Sequence, residues 1–202
     1  MFKCGGIMFP YLGKFNLDWD RIHKYCDSIP YDDWEWKCSP LMNHKDNEHR
    51  PIEEQNHQLW YNKNNASLKD INVTDQKFFP DSWFYTLGIK KEQHNVKIFW
   101  TKPGNFEPPH KDFFPSFLGE YREDGSKWTQ QDIEKHGKKI LRAWIPLMDS
   151  KLGHMLYTDE YALASWKKGD VYELPSGQTH GFANGGREDR LLMVFTGWRA
   201  NG

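Results

Sequence analysis

The sequence predicts a mainly β fold, a sandwich or jelly roll with helices from the first half of the chain as its outer layer, and three observations carry that prediction. Beyond Gln93 the chain breaks into short segments of alternating apolar residues, each bounded by Gly, Pro, Asn or Asp. The last of them, Arg190 to Trp198, is apolar on both faces, with Leu192, Val194 and Trp198 on one and Leu191, Met193 and Phe195 on the other. Such a strand must be covered on both sides. Before Gln93 the texture is polar and irregular, with one helix-like stretch.

That stretch opens at Asn16-Leu17-Asp18-Trp19-Asp20 and runs to about Ser28, with Leu17, Ile22 and Tyr25 roughly on one face and Asp residues near its start, where they suit the helix dipole. Ser39 to Asn72, including Asn62 to Ser67, carries few signals and reads as surface loops or a short cover over the core. Strands are expected at Val96 to Thr101, Ile140 to Leu147, Met155 to Thr158, Tyr161 to Trp166, Asp170 to Leu174, His180 to Ala183 and Arg190 to Trp198. Phe113 to Lys138 interrupts this run and is too long for a hairpin connection. It reads as a lid or substrate loop, or else as a surface insertion without a role.

At 202 residues one domain is expected, with residues 1–94 as an N-terminal helical and loop layer and 95–198 as the β core. A formal charge of -1 offers no basic excess for a nucleic-acid backbone, so nucleic acid is not an expected partner. Mean hydropathy is low at -0.86, yet aromatics make up 16% of the chain with ten Trp, so the core should be built largely from rings. Cys4, Cys26 and Cys38 match no zinc or redox spacing and suit a reducing, cytoplasmic setting. No signal peptide or membrane span is expected.

Inserting oxygen into an unactivated C–H bond calls for an iron held on one face, with the opposite positions free for O2 and a reductant. Two imidazoles and one carboxylate hold it so. The corresponding pattern is His-x-Asp at one strand end and a lone His on a distant strand. His110-Lys111-Asp112 and His180 fit it. In a chain with nine His the triplet alone is weak, and it occurs twice. His44-Lys45-Asp46 lies in a polar run with no strand before it and is taken as the decoy. His110 instead follows the strand ending at Thr101, the Pro103-Gly104 turn and the stiff Pro108-Pro109 pair. Arg190, ten residues after His180, begins an apolar strand. If it faces inward it needs an anionic partner, and its planar fork suits a carboxylate. Arg142, alternating with Ile140 and Trp144, is a second carboxylate contact if that face is interior, and an exposed strand Arg otherwise.

Over roughly residues 95 to 198 the chain resembles the aspartyl/asparaginyl β-hydroxylase branch of the Fe(II)/2-oxoglutarate-dependent oxygenases. The resemblance rests on Val96-Lys97, Lys102-Pro103-Gly104, Pro109-His110, Leu141-Arg142, Leu147, Trp166, Gly169-Asp170, His180, Arg190 and the closing apolar strand. It implies a double-stranded β-helix, a cupin-like jelly roll. It also implies Fe(II), 2-oxoglutarate and O2, with ascorbate as a reductant, and succinate and CO2 as by-products. By position it makes His110 and His180 metal ligands, Arg190 the anchor of the far carboxylate of 2-oxoglutarate, and Arg142 a further contact with that co-substrate. The namesake enzyme lacks the carboxylate ligand, which Asp112 supplies here. Phe99 and Trp144 stand where that enzyme has Ser and His. Asp112 points to hydroxylation, because a halogenating relative leaves that position vacant for chloride. The implied substrate is an amino acid or a peptide or protein side chain.

Two other readings compete: a cupin-type metal enzyme that does not use 2-oxoglutarate, and a non-catalytic jelly-roll binding module. Trp100, Phe113, Phe114, Phe117 and Trp128 are candidates to line a pocket, with core packing as the plainer alternative. His23, His49, His57, His94, His136 and His154 have no metal-ligand spacing and are expected to face solvent or to be hydrogen-bonded. Oligomeric state is not encoded in any pattern found.

Overall fold

The computed structural model describes residues 9–30, 35–36, 68–112, 117, 126 and 129–201. Among the described residues eleven strands form two antiparallel sheets. They are β1 (Tyr11–Lys14), β2 (Glu35–Trp36), β3 (Leu68–Asn72), β4 (Ile89–Thr101), β5 (Phe106–His110), β6 (Ile140–Pro146), β7 (His154–Thr158), β8 (Ala162–Leu163), β9 (Asp170–Glu173), β10 (His180–Asn184) and β11 (Arg190–Arg199). The larger sheet has the order β1-β9-β6-β11-β4-β3-β2 and the smaller β5-β10-β7-β8. From β4 to β11 the chain supplies β9-β6-β11-β4 to the first and β8-β7-β10-β5 to the second, crossing repeatedly between them. That is the strand order of a double-stranded β-helix. The fold is a jelly roll.

All seven expected strands appear, with shifted ends. β4 starts at Ile89, so the boundary expected at 94/95 falls inside a strand, and β8 is much shorter than Tyr161 to Trp166. Trp166 instead leaves the sheet, its indole Nε1 donating to the Met148 carbonyl at 3.1 Å. Four strands, β1, β2, β3 and β5, are additions to the sequence reading. β1 and the β2–β3 pair extend the larger sheet at its two ends, so the N-terminal part is not only helix and loop. β5 escaped because Pro108 and Pro109 donate no backbone hydrogen bond. That is tolerated because β5 is an edge strand.

The first helix, α1 (Trp19–Asp27), begins where Asp18 accepts from the Arg21 amide at 3.0 Å, and it buries Ile22 and Cys26, one turn apart. Burial pushes the Cys26 thiol up to about 12, which makes it an inert core group. A second helix, α2 (Asp81–Leu87), was not expected. Pro80 precedes it, Gly88 ends it at φ +63°, and it buries Trp83 and Phe84. The third, α3 (Gln130–Gly137), occupies the end of the stretch read as a lid loop, where Thr129 and Asp132 form a reciprocal capping box. Among the described residues no helix is long and apolar enough to cross a membrane.

The larger sheet has a core on each face. Outside, Ile98, Leu141, Ala143, Ile145, Met193 and Phe195 pack under α1 and α2. Between the sheets lie Phe9, Phe99, Trp144, Leu156, Trp166, Phe182, Leu192 and Val194. The alternation expected in β11 is therefore realised, with Met193 and Phe195 outward and Leu192 and Val194 inward.

Candidate metal centre

β5 and β10 bring the sequence-predicted ligands together. His180 is register partner to His110, whereas Phe182 pairs with Glu107, so two steps along β10 correspond to three along β5. This is a bulge, and its extra residue puts both Glu107 and His110 on the inward face with His180 and Phe182. The bulge leaves the Glu107 carbonyl to accept from the Tyr157 hydroxyl, which reaches it across Gly181. A Cβ on Gly181 would lie 2.5 Å from both the Glu107 carbonyl oxygen and the Tyr157 hydroxyl oxygen, so only glycine fits there.

One ligand atom each from His110, Asp112 and His180 lies within 4.8 Å of the other two. The two imidazole rings are 4.4 Å apart between centroids. Asp112 Oδ2 is 3.4 Å from His180 Nε2, and Asp112 Oδ1 is 3.8 Å from His110 Nε2. His180 Nδ1 lies 2.9 Å from the Gln178 backbone carbonyl. A carbonyl can only accept, so Nδ1 carries the hydrogen and the neutral ring presents a lone pair at Nε2. A backbone acceptor on the far nitrogen is how a ligating imidazole is usually oriented. The decoy triplet His44-Lys45-Asp46 lies outside the described residues.

Arg142 faces inward, as one of its two sequence readings required, but its partner is protein. Its Nε lies 2.8 Å from Asp112 Oδ2, an ion pair whose N–H is not well aimed for a hydrogen bond. Nη1 is 3.5 Å from Thr196 Oγ1.

Arg190 is buried at 1% exposure. Its Nη1 donates to Thr101 Oγ1 at 3.3 Å, and its guanidinium sits 4.4 Å from the Phe182 ring centroid and 5.9 Å from that of Trp166. Nε and Nη2 are buried and have no hydrogen-bond partner among the described residues. Burial lowers its pKa to about 9, which still leaves it cationic at neutral pH.

Three contributors were missed by sequence reasoning. Glu107 is buried at 2% exposure, with Oε1 3.4 Å from His110 Nε2. Only the bulge turns it inward, so no periodicity could have found it. Asn184 donates to the Thr101 and Glu188 carbonyls at 2.9 and 2.8 Å and accepts from the Gly186 amide, fixing the turn that delivers Arg190. Its place before Gly185-Gly186 was the available signal. The third is His154, buried and stacked on Trp166. Its Nδ1 accepts from the Lys151 amide and its Nε2 faces the Glu188 carbonyl, so it tethers the same turn as a neutral ring.

Of the pocket aromatics, Trp100 belongs to the outer core and donates to Asp189 at 2.8 Å, so the packing alternative holds for it. Phe117 lies 6.4 Å from Trp198, whereas Phe113, Phe114 and Trp128 lie outside the described residues. Among the described residues, Trp144 brings its ring 5.6 Å from that of His180.

No family model matches this chain, nor does any curated protein. Solved structures similar to this chain include cupin domains. The Cnp3 cupin domain of Schizosaccharomyces pombe is 12% identical over 65% of this chain, at a TM-score of 0.38. The match spans 64% of the Cnp3 chain, less than two thirds of its length. A predicted oxalate decarboxylase from Thermotoga maritima is 11% identical over 65% of this chain and 80% of its own, at a TM-score of 0.37. A Cupin 2 conserved barrel domain protein from Salinispora arenicola is 18% identical over 75% and 88%, at a TM-score of 0.36. The fold of the present chain is read from its strand order, and each neighbour's activity belongs to that neighbour.

Proposed function

We propose that the protein is an Fe(II)- and 2-oxoglutarate-dependent oxygenase that hydroxylates an unactivated C–H bond of an amino acid or a peptidyl side chain. The observation that carries this reading is Arg190, a buried guanidinium with two N–H groups unmatched among the described residues, ten positions after His180. An unpaired buried charge costs several kcal/mol, on the order of 3–5 when one partner of a pair is missing. A carboxylate is the group whose two oxygens match the guanidinium edge.

The donor set fits iron, because two imidazoles and one carboxylate hold Fe(II) while leaving coordination positions open. When bound, iron with 2-oxoglutarate and O2 supplies the oxidising power for hydroxylation, with succinate and CO2 as by-products. The chain's own part is placement. The Gln178 carbonyl fixes the His180 tautomer, Arg142 holds one oxygen of Asp112, and Arg190 binds the far carboxylate. Phe99, Trp144 and Phe182 form a wall that keeps water from the reacting centre.

Purified protein given Fe(II), 2-oxoglutarate and ascorbate should release succinate, and His180→Ala should abolish the release. Release that persists in His180→Ala would refute the reading. Glu107 favours a second reading, a cupin-type metal enzyme without 2-oxoglutarate, because a buried carboxylate 3.4 Å from His110 Nε2 suits a four-ligand centre. Under that reading Arg190→Met leaves metal-dependent activity intact, whereas under the first it removes 2-oxoglutarate binding.

A further inference from the structure

His154 is a buried imidazole outside the metal triad, and it meets both supports of Arg190. The first support is a ring. The Arg190 guanidinium lies 5.9 Å from the Trp166 ring centroid, and Trp166 is stacked on His154 at 6.2 Å with 18° between the planes. The second is the turn that leads into β11. His154 Nδ1 accepts from the Lys151 amide at 3.3 Å, so the ring hydrogen is on Nε2, where it donates to the Glu188 carbonyl at 3.2 Å, two residues before Arg190. Both supports hang on one short stretch, Met148 to His154. The Trp166 amide donates to Ser150 Oγ and its indole Nε1 to the Met148 carbonyl, each at 3.1 Å, and its own carbonyl accepts from the Ser150 amide at 3.1 Å. The Gly185 amide donates to the Gly153 carbonyl at 2.8 Å, and a Cβ on Gly153 would run into the Gly186 amide, so the two turns touch backbone to backbone. Arg190 itself bonds Thr101 Oγ1 through Nη1, while Nε and Nη2 are unmatched among the described residues. A long side chain so lightly bonded is aimed by what packs around it and by where its backbone starts.

We propose that His154 is a positioning residue for Arg190: by clasping the Trp166 ring and the Glu188 carbonyl at once, it fixes where the guanidinium meets a carboxylate, and so sets the preference for a dicarboxylic over a monocarboxylic 2-oxo acid. The proposal rests on the proposed function, in which Arg190 binds the far carboxylate, and adds to it a determinant of specificity that lies behind the site. Preorganisation is the physical reason. A guanidinium already held in its bound position loses less freedom when the anion arrives.

The test is binding, read without turnover. Protein loaded with Mn(II) under anaerobic conditions is titrated calorimetrically with 2-oxoglutarate and with 2-oxopentanoate, which has the same carbon chain and lacks the far carboxylate. Both acids offer the metal the same oxygens, so the ratio of their dissociation constants reads the grip on the far carboxylate. Wild type should prefer 2-oxoglutarate by at least about tenfold. His154→Leu should lower that preference by about fivefold or more, while its affinities for Mn(II) and 2-oxopentanoate stay within about twofold of wild type. His154→Gln, whose amide can donate to the Glu188 carbonyl from the place of Nε2, should restore most of the preference. His154→Asn, whose amide lies at the Lys151 end, should not. These two variants keep a polar group in the pocket and decide the question should His154→Leu fail to fold. A preference unchanged in His154→Leu or His154→Asn, equal preferences in the Asn and Gln variants, or a parallel loss of both acids in a variant that still binds Mn(II) would each overturn the proposal. A wild-type protein that binds both acids equally, or neither, overturns the proposed function itself.

Discussion

The two faces of the larger sheet are built from the same strands and differ in kind. The outer core under α1 and α2 is built from hydrocarbon and rings, with Ile98, Ile145, Met193 and Phe195 at 0% exposure. The inner face alternates with it residue by residue along β11, yet carries Arg190, and near its rim Arg142, among Trp144, Leu192 and Val194. A folded chain tolerates buried charge only where something offsets it. The outer face thus contributes stability, and the inner face carries buried charge that costs some of it. One strand does both because successive side chains point to opposite sides.

Mutations that separate the two faces test this division. The largest effect is expected from His180→Ala, which should reduce Mn(II) affinity by about 100-fold or more, since even indirect partners of metal ligands matter 10–100-fold. Calorimetric titration measures it, and the fold should persist by circular dichroism. Phe195→Ala should cost about 3–5 kcal/mol of stability by urea denaturation, because its ring lies at 0% exposure between α2 and the sheet. Its Mn(II) affinity should stay near wild type. An equal loss of affinity would mean that the faces are not independent.

Arg190→Met should act in opposite directions on the two properties. The unliganded protein should gain about 1–4 kcal/mol, as replacement of buried charge by hydrocarbon often does, while 2-oxoglutarate no longer shifts the melting temperature. Gly181→Ala should cost about 1–3 kcal/mol by forcing β5 and Tyr157 apart, and should weaken metal binding through the bulge that turns His110 inward.

The smallest effect concerns pH. Burial, aided by the nearby Arg190 charge, lowers the pKa of His154 below its ordinary 6.5. The unfolded chain then takes up a proton before the folded one does. The stability from His154 is therefore full above about pH 6.5 and is lost as pH falls from there through the lower folded value. Denaturation midpoints between pH 7 and pH 5 should fall more steeply in wild type than in His154→Gln, and parallel curves would show that His154 carries no such linkage.

Local pattern encodes which side of a strand a residue takes, and that much was legible. The alternation in Arg190 to Trp198 foretold both cores, and the turn residues bounding each apolar run located the strands. His110, Asp112, His180 and Arg190 could be chosen because each stands at or just beyond a strand end, where side chains from distant strands can meet. β5 and α2 were not legible in the same way. The first lacks alternation because of its two prolines, and the second is a short run of Trp, Phe and Tyr whose helical state is set by packing on β4 and Phe195.

The sequence by itself determined the class of fold, the strand faces and three residues able to hold a cation. Tertiary structure alone decided that Arg142 pairs with Asp112, that Glu107 joins His110, and that Arg190 keeps polar atoms unmatched among the described residues. The physical reason is register. A one-residue bulge in β5 turns Glu107 from one face to the other, and ion pairs form between strands whose separation in sequence carries no local signal.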